Sequence, residues 1–377
     1  MIPSQRALFD LPREVTYLNA AYMGPMTLAA SAAGADSYEK KKQPWRYDIQ
    51  SDFFDVPETY RSRAAQLFGA TADDIAIIPA ASYGLSTAAL NLDPDPGSEI
   101  LVLDEQFPSN IYTWRTLAQA CDVSVRTVSR SDNESWSEAM LAAIGPKTSI
   151  VACPQVHWAD GGQLDLPAIS QAARLQGAAL VLDLTQSLGV LPFDMDAIQP
   201  DFAVVAGYKW LLGPYSIGAL YVHPQHQNGE ALEENWIGRD KSEDFARLVD
   251  YADQYAAGAR RFDVGERSGF QLIPSANTSI KQMLDWDAAQ IAETLSAKTL
   301  AIAEAVAPLG LNDSTPERAG HYLCLSLPNH APADLVKRLG ARQIHVSQRG
   351  DRLRVSPHVY NDEADISRFV DALKAEL

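Results

Sequence analysis

Residues 179–186 have the sequence ALVLDLTQ, and residues 201–210 have the sequence DFAVVAGYKW. Each stretch is an apolar run without regular alternation, which is typical of a strand buried on both faces of a parallel sheet. The first run ends at Asp183, and Lys209 follows the second. Because ligands bind at the carboxyl ends of the strands in such sheets, we expect Asp183 and Lys209 to be neighbours in a binding site.

Four more apolar runs predict further strands, and segments of helical period, such as 167–176, lie between most of them. The six predicted strands span residues 75–78, 100–103, 150–152, 179–182, 202–206 and 219–222. The alternation of strands and helices predicts a doubly wound α/β sheet that is covered by helices.

The pattern changes after about residue 270. A long helical stretch is predicted at 275–306, followed by strands at 322–327 and 352–356 and by helices near 333–339 and 363–377. This order of elements predicts a second, smaller domain of the α+β type.

Composition and charge disfavour several classes of protein. The 377 residues are 46% hydrophobic and 21% charged, as in ordinary globular enzymes. The 31 basic and 48 acidic side chains give a formal charge of −17, which disfavours binding to nucleic acid or to an anionic membrane. No stretch resembles a secretory signal or approaches the roughly 20 apolar residues of a transmembrane helix. Cys121, Cys153 and Cys324 form no C-x-x-C pair, so we expect a reduced, cytoplasmic protein without a metal.

Asp183 and Lys209 together suit one chemical task. An aldehyde cofactor needs an amine to form an imine, and its pyridine nitrogen needs an anionic partner so that the ring can accept electrons. Taken singly, Asp183 equally suits a helix cap, and an isolated lysine at position 209 is better explained as an exposed loop residue. The pair predicts a pyridoxal 5′-phosphate enzyme in which Lys209 holds the cofactor as a Schiff base.

The cofactor's phosphate requires a group of hydrogen-bond donors. Residues 79–86, with the sequence PAASYGLS, join a predicted strand to a helix. Backbone N–H groups and hydroxyls at the start of a helix bind anions, which points to Ser82 and Tyr83. A serine that merely caps the helix would give the same pattern.

Ordered motifs occur along almost the whole chain. They are Tyr17-Leu-Asn-Ala-Ala-Tyr-Met-Gly-Pro, Phe107-Pro-Ser-Asn110, Asp183-x-x-Gln186, Tyr208-Lys209 and Arg352-Leu-Arg354-Val-Ser-Pro-His-Val-Tyr360-Asn361. This set resembles the class V aminotransferase family of fold-type I enzymes, which includes cysteine desulfurases, kynureninase, cysteine lyases and isopenicillin N epimerase-like enzymes. The resemblance implies a large domain, 26–265, with a mostly parallel seven-stranded sheet between helices. It also implies a small α+β domain, 266–377, and an N-terminal segment, 1–25, that packs with it.

The resemblance also implies roles around the cofactor. Lys209 would form the Schiff base and move protons, while Asp183 would pair with the pyridinium. Gln186 would bind the phenolic oxygen, Phe107 would stack on the ring, and Asn110 would lie near the same ring edge. The phosphate would be held by Ser82, Tyr83 and Tyr208.

Further roles concern the substrate and a second subunit. Arg354 would bind the substrate carboxylate, since a guanidinium matches that anion, although an exposed strand arginine would give the same pattern. His157 would act beside the cofactor oxygen, or else be structural. Asn19 and Tyr22 would line the substrate entrance. Trp236 would reach the neighbouring subunit's cofactor in a homodimer, or else pack within its loop.

One departure from the family bears on the reaction. Cysteine desulfurases carry a nucleophilic cysteine before the carboxylate-binding arginine, but residues 344–350, IHVSQRG, contain none, and Cys324 lies in a predicted strand. We therefore expect a homodimeric enzyme that acts on a small α-amino acid as an aminotransferase or as a β-eliminating cysteine lyase. An epimerase and a kynureninase-like hydrolase are alternatives. A pyridoxal-phosphate-binding regulator is disfavoured, because it would not need Arg354.

Overall fold

A computed structural model describes residues 1–313 and 315–377. The strands are β1 Thr16–Tyr17, β2 Ile75–Ile78, β3 Glu99–Leu103, β4 Ser124–Val128, β5 Thr148–Pro154, β6 Ala179–Asp183, β7 Phe202–Ala206, β8 Gly218–Val222, β9 Leu323–Ser326, β10 Ile344–His345, β11 Ser347–Arg349 and β12 Arg352–Val355. The helices are α1 Leu28–Lys41, α2 Val56–Phe68, α3 Ala81–Leu90, α4 Ser109–Cys121, α5 Trp136–Ala143, α6 Leu166–Leu175, α7 Met195–Ile198, α8 Leu272–Trp286, α9 Ala288–Val306, α10 Leu335–Ala341 and α11 Glu363–Glu376.

Seven strands form the central sheet in the order β2-β8-β7-β6-β5-β3-β4. Strand β8 is antiparallel to both neighbours, while the other pairs are parallel. The connection from β7 to β8, residues 207–217, contains no helix, and a parallel return would need a longer crossover. The predicted mostly parallel, seven-stranded sheet between helices is confirmed.

Apolar side chains cover both faces of this sheet. Within β6, Leu182 packs into one buried cluster and Val181 into the cluster on the opposite face. Burial on both faces explains why these strands are continuous apolar runs in the sequence. The carboxyl ends of the parallel strands are left at one edge, where polar residues follow them.

The small sheet has the order β11-β12-β9 and lies over a third apolar cluster, to which Leu353 and Phe369 contribute. Helices α8 and α9 are separate, although one helical stretch was predicted at 275–306. Asp287 lies between them with φ 67°, and its carboxylate accepts the N–H groups of Ala289 and Gln290 at 3.0 and 3.1 Å. This cap begins a new helix where the first one ends.

The N-terminal segment contacts both β10 and the turn after β7. Strand β1 pairs in parallel with β10, and the chain then reaches the turn that carries Lys209. The N–H of Gly24 donates to the carbonyl of Tyr208 at 2.9 Å, and a Cβ at position 24 would overlap the carbonyl oxygen of Lys209. Glycine is therefore required here for close approach of two backbones. Within residues 1–313 and 315–377, no helix combines the length and apolar character needed to cross a membrane.

Candidate active site

A cavity of about 350 Å³ opens at the carboxyl ends of the parallel strands. Six of the expected residues line it: Ser82, Phe107, Asp183, Gln186, Tyr208 and Lys209. They follow β2, β3, β6 and β7, which are distant in sequence but end at the same edge of the sheet. The topology thus brings them together at the place where α/β sheets bind ligands.

Lys209 is a buried amine in this cavity, with 7% of its surface exposed. Burial lowers the pKa of Lys209 to about 8; Asp183 opposes this shift, and the positive charges of Arg354 and Arg349 add to it. Its Nζ lies 5.3 Å from the centre of the Phe107 ring. Near pH 8, Lys209 is therefore a neutral, nucleophilic amine in about half of the molecules.

Asp183 and Gln186 are held by hydrogen bonds on the turn after β6. The Asp183 carboxylate accepts the N–H of Thr185 at 3.0 Å. The Gln186 side chain accepts the indole N–H of Trp210 at 2.7 Å and donates to the carbonyl of Ala21 at 3.2 Å. These contacts orient Gln186 and leave its second N–H without a partner among the described residues.

The polar groups of the cavity match pyridoxal phosphate. Lys209 offers an amine for the aldehyde, Asp183 a carboxylate for the ring nitrogen, and Phe107 a flat apolar face. Ser82 lies in the first turn of α3, whose free N–H groups suit a phosphate. The side-chain nitrogen of Gln106 is buried at the cavity wall and, within the described chain, has no acceptor. Such a donor fits a ligand rich in anionic oxygens.

Trp158 forms one wall of the cavity. Its ring meets Phe107 edge to face at 5.4 Å, and its indole N–H donates to the carbonyl of Glu105 at 2.6 Å. Its own carbonyl accepts the hydroxyl of Tyr322 at 2.6 Å and Nη1 of Arg354 at 3.1 Å. Trp158 is thus fixed at both its side chain and its backbone.

His157 does not reach the cavity, which corrects the expectation that it acts there. The ring is fully buried, with Nδ1 3.1 Å from a carboxylate oxygen of Asp160 and Nε2 3.1 Å from the carbonyl oxygen of Asp104. The ring also packs on Trp136 with centroids 4.7 Å apart. Both nitrogens have protein partners, so His157 holds the loop after β5, while the next residue, Trp158, faces the cavity.

Asn110 and Tyr83 also lie outside the cavity lining. The Asn110 carbonyl oxygen accepts the indole N–H of Trp114 at 2.8 Å inside α4, where Asn110 is fully buried. The Tyr83 side chain points towards Glu233, and burial together with this carboxylate raises the pKa of its phenol. Neither residue is therefore part of the cavity lining, although the backbone N–H of Asn110 donates to the carbonyl of Phe107 at 2.8 Å. The side-chain nitrogen of Asn110 is buried and has no acceptor among the described residues.

Three more of the expected residues, Trp236, Asn19 and Tyr22, do not line the cavity. Trp236 packs against Phe53 and Phe245, with centroids 6.3 and 5.3 Å away, and is 40% exposed. Asn19 is buried, and its backbone pairs with that of Ser356 beside β12. Tyr22 is exposed on the same N-terminal segment. In one chain, Trp236 therefore has no contact with the cavity.

Arg354 is almost completely buried, with 1% of its surface exposed. Its Nε donates to the hydroxyl of Ser347 at 3.0 Å, and its Nη1 donates to the carbonyl of Trp158 and the hydroxyl of Tyr322, both at 3.1 Å. No carboxylate of the described residues lies within 4 Å of it. Arg352, by contrast, lies 3.8 Å from Asp160.

Sequence reasoning missed several lining residues. Gln106, Tyr215 and Ser216 all face the cavity. Gln106 directly precedes Phe107 after β3. It could have been predicted from the sequence, because ligands bind at the carboxyl ends of the strands in such sheets. Tyr215, whose ring lies 4.6 Å from that of Tyr208, belongs to the connection from β7 to β8. Its approach depends on the antiparallel return of β8, which the apolar pattern does not reveal.

The chain was compared with known proteins. The family model for "Aminotransferase class-V" matches residues 36–369. The chain is 24% identical over 382 residues to the Bacillus subtilis protein YcbU, described as an uncharacterized aminotransferase, with 100% of this chain and 98% of that protein covered. It is 30% identical over 275 residues to a kynureninase of Deinococcus radiodurans, covering 69% of this chain and 64% of that protein.

The fold also matches that of a solved structure, a cysteine desulfurase from Thermococcus onnurineus. The TM-score is 0.86 at 20% identity, and the match covers 100% of this chain and 98% of that one. The fold of this chain is thus a known architecture. With the family model matched over most of its length, the chain belongs to the class-V aminotransferase family of pyridoxal 5′-phosphate-dependent enzymes.

Proposed function

We propose that this enzyme acts on a small α-amino acid as an aminotransferase or a β-eliminating lyase, with Arg354 as the group that binds the α-carboxylate. The observation that carries this proposal is the state of Arg354, a buried guanidinium without a carboxylate partner within 4 Å among the described residues. A buried cation that has only uncharged partners is costly unless an anion joins it. A substrate carboxylate near Lys209 would supply that anion.

The other residues have complementary roles in this proposal. Bound pyridoxal phosphate supplies an aldehyde that condenses with amines and a ring that accepts electrons from the substrate α-carbon. Lys209 would hold the cofactor through its side-chain amine and would move a proton at the substrate α-carbon. Asp183 would pair with the ring nitrogen, and Gln186 would donate its free N–H to a cofactor oxygen. Ser82 would bind the phosphate.

The cysteines support a reaction without a protein persulfide. The segment of β10 and β11 that precedes Arg354, residues 344–349, contains no cysteine. Cys324 lies in β9, its thiol donates to the carbonyl of Ala159 at 3.4 Å, and burial raises its pKa. A protonated, buried thiol is a poor nucleophile. Sulfur, if released from a substrate, would therefore leave without passing through Cys324.

A kynureninase-like hydrolase is the second candidate. The observation in its favour is the 30% identity with a kynureninase over 275 residues. The ring of Trp158 in the cavity wall also suits a substrate with a flat side chain. Kynurenine therefore belongs among the compounds that are tested.

A homodimer is part of the proposal. Trp236 and its neighbours leave apolar side chains exposed in the single chain, although they lie in the segment that resembles a subunit-bridging loop. Burial against a second copy would cover these side chains and bring the segment towards the partner's cavity.

The test is a substrate survey with the holoenzyme. Amino acids are added with and without a 2-oxo acid, and products are identified by mass and chiral analysis. Transfer of the amino group that depends on the 2-oxo acid indicates an aminotransferase, whereas pyruvate with ammonia and a thiol or sulfide indicates a lyase. Inverted α-carbon configuration would instead identify an epimerase. Turnover of amines that lack a carboxylate, without turnover of any α-amino acid, would overturn the proposal.

A further inference from the structure

The hairpin β11–β12 presents several side chains on the face that contacts Trp158, a residue of the cavity wall. Ser347 is paired with Arg354 across the hairpin, and Arg349 is paired with Arg352. Paired residues in an antiparallel ladder, and residues two apart along a strand, lie on the same face. Arg349 and Arg354 are therefore diagonal neighbours on one face, roughly 7–8 Å apart at the backbone.

Arg349 lies over the cavity wall. Its guanidinium carbon is 5.2 Å from the centre of the Trp158 ring, a distance at which a cation is attracted to the aromatic face. Its Nη1 donates to the carbonyl of Gln348 at 2.7 Å. Its Nε is buried and has no acceptor in the described part of the chain. The side chain is thus oriented by stacking but is incompletely hydrogen bonded.

The three arginines of the hairpin differ in their anionic partners. Arg352 is 3.8 Å from Asp160, so a protein carboxylate faces its charge. No carboxylate of residues 1–313 and 315–377 lies within 4 Å of either Arg349 or Arg354. The two remaining guanidinium groups both contact Trp158, one over its ring and one at its carbonyl. Two like charges held this close favour a ligand that neutralises both.

We infer that the substrate carries a second anionic group on its side chain, and that Arg349 binds this group while Arg354 binds the α-carboxylate. This inference rests on the proposed function, because it uses the same cavity and the same role for Arg354. Arg349 is then a residue that selects the substrate. The chemical class is an acidic α-amino acid, with a carboxylate, sulfinate or sulfonate on its side chain.

The inference is tested by calorimetric titration of the holoenzyme with unreactive acids that lack an amine. Succinate and butyrate have the same number of carbons but differ by one carboxylate, and glutarate and pentanoate form a second such pair. We expect each diacid to bind on the order of 10- to 100-fold more tightly than its partner, the range of one additional charge-assisted contact.

Variants of the hairpin assign the effect. Arg349→Gln should reduce the diacid preference to about threefold or less and leave butyrate binding nearly unchanged, whereas Arg349→Lys should retain part of it. Arg352→Gln is the matched control, because it removes a charge from the same face and should keep the preference. Circular dichroism and the melting temperature establish that each variant is folded. A diacid preference that persists in Arg349→Gln, or that is absent in the wild type, overturns the inference.

Arg354→Ala separates this inference from the proposed function. It should abolish binding of both members of each pair. If butyrate binds normally to Arg354→Ala while Arg349→Gln still removes the diacid preference, the role of Arg354 is wrong but the anion site at Arg349 stands. If Arg354→Ala loses butyrate and Arg349→Gln changes nothing, the proposed function stands and the second anionic group is wrong.

Discussion

Arg352 and Arg354 are identical side chains on the same face of β12, yet their surroundings differ. Arg352 faces Asp160, which also has Arg130 at 2.8 Å and His157 at 3.1 Å. Arg354 has uncharged partners and is nearly inaccessible to water. An anion contributes most where a cation has no other compensation, so the surroundings favour Arg354 over Arg352 as the proposed binding residue.

Arg354→Ala should lower kcat/KM for α-amino acids by roughly 30- to 4,000-fold. Truncating one partner of a desolvated ion pair costs about 2–5 kcal/mol, and each 1.4 kcal/mol is tenfold. Cofactor content should stay intact, because Arg354 is not one of the residues proposed to hold the cofactor, and Ser82 at the start of α3 would bind its phosphate. Arg354→Lys should recover only part of the activity. The ammonium restores the positive charge but cannot form two parallel hydrogen bonds with a carboxylate. Steady-state kinetics beside Arg352→Ala provide the check; normal turnover by Arg354→Ala would contradict the assignment.

The low pKa of Lys209 predicts how the apoenzyme takes up its cofactor. The neutral amine is the nucleophile, and its fraction rises about tenfold per pH unit until the pH reaches the pKa. The uptake rate, followed by visible absorbance, should therefore rise up to about pH 8 and then level off. Borohydride should fix a pyridoxyl group on Lys209. A rate that still climbs steeply above pH 9, or an adduct on another lysine, would contradict this prediction.

Burial predicts which cysteines react. Burial raises the pKa of Cys153 to about 12 and also raises that of Cys324, whereas Cys121 is partly exposed. Iodoacetamide at pH 8 should label Cys121 alone in the native protein and all three cysteines after denaturation. Cys324→Ser should leave turnover nearly unchanged. Detection by mass analysis of a persulfide on Cys324 during cysteine turnover would show that the thiol is accessible.

For a residue that follows a strand, the sequence does not show whether its side chain points into the cavity or away from it. Asp183 and Lys209 lie in the cavity because each follows a buried strand directly. His157 and Trp158 follow the same strand, but their side chains point in different directions. The contact between His157 and Asp160 decides which of the two turns away, and this contact depends on the fold of the loop.

At the scale of elements, the bounds of strands were predicted correctly where both faces of the strand are buried. Strands β2 and β7 have the predicted bounds because all their side chains are buried. Strand β4 was missed, since it lies at the sheet edge and its sequence, SVRTV, has exposed polar residues in place of an apolar run. The break between α8 and α9 was also missed, because the apolar period continues across Asp287.

Asp287 provides a prediction about these two helices. Asp287→Ala should lower the free energy of unfolding by about 1–3 kcal/mol, because it removes the cap of α9 and places an alanine at a positive φ. Asp287→Gly should lower it less, since glycine tolerates that backbone conformation. Urea denaturation of both variants provides the comparison. An alanine variant as stable as the wild type would mean that the cap contributes nothing.

At the scale of the whole molecule, one segment has an unusual surface. Residues 232–251 expose five large apolar side chains despite a chain charge of −17. They are Leu232, Trp236, Leu248, Val249 and Tyr251, the last 89% exposed. Clustered exposed apolar side chains indicate an interaction surface, whereas single ones do not. This segment is therefore the proposed interface with a second copy of the chain.

The oligomeric state can be measured directly. Light scattering should give the mass of a dimer for the wild type, and Tyr251→Asp should shift the mass towards a monomer, because a buried unpaired carboxylate is unfavourable. Leu175→Asp is the control, since Leu175 is 77% exposed on α6, outside that segment. A wild-type monomer that retains its cofactor and full activity would contradict the proposed dimer.

The hydrogen bonds from Tyr322 and Arg354 to the cavity wall end on a backbone oxygen, the carbonyl of Trp158. Every amino acid carries this carbonyl, so these two contacts tolerate replacement of the tryptophan. The arginines of the hairpin are encoded within residues 347–354, whereas the cavity-lining residues are encoded within residues 79–216. With the roles proposed for these arginines, mutations in one short stretch of the gene would change the preferred substrate, while the residues around Lys209 would be inherited unaltered.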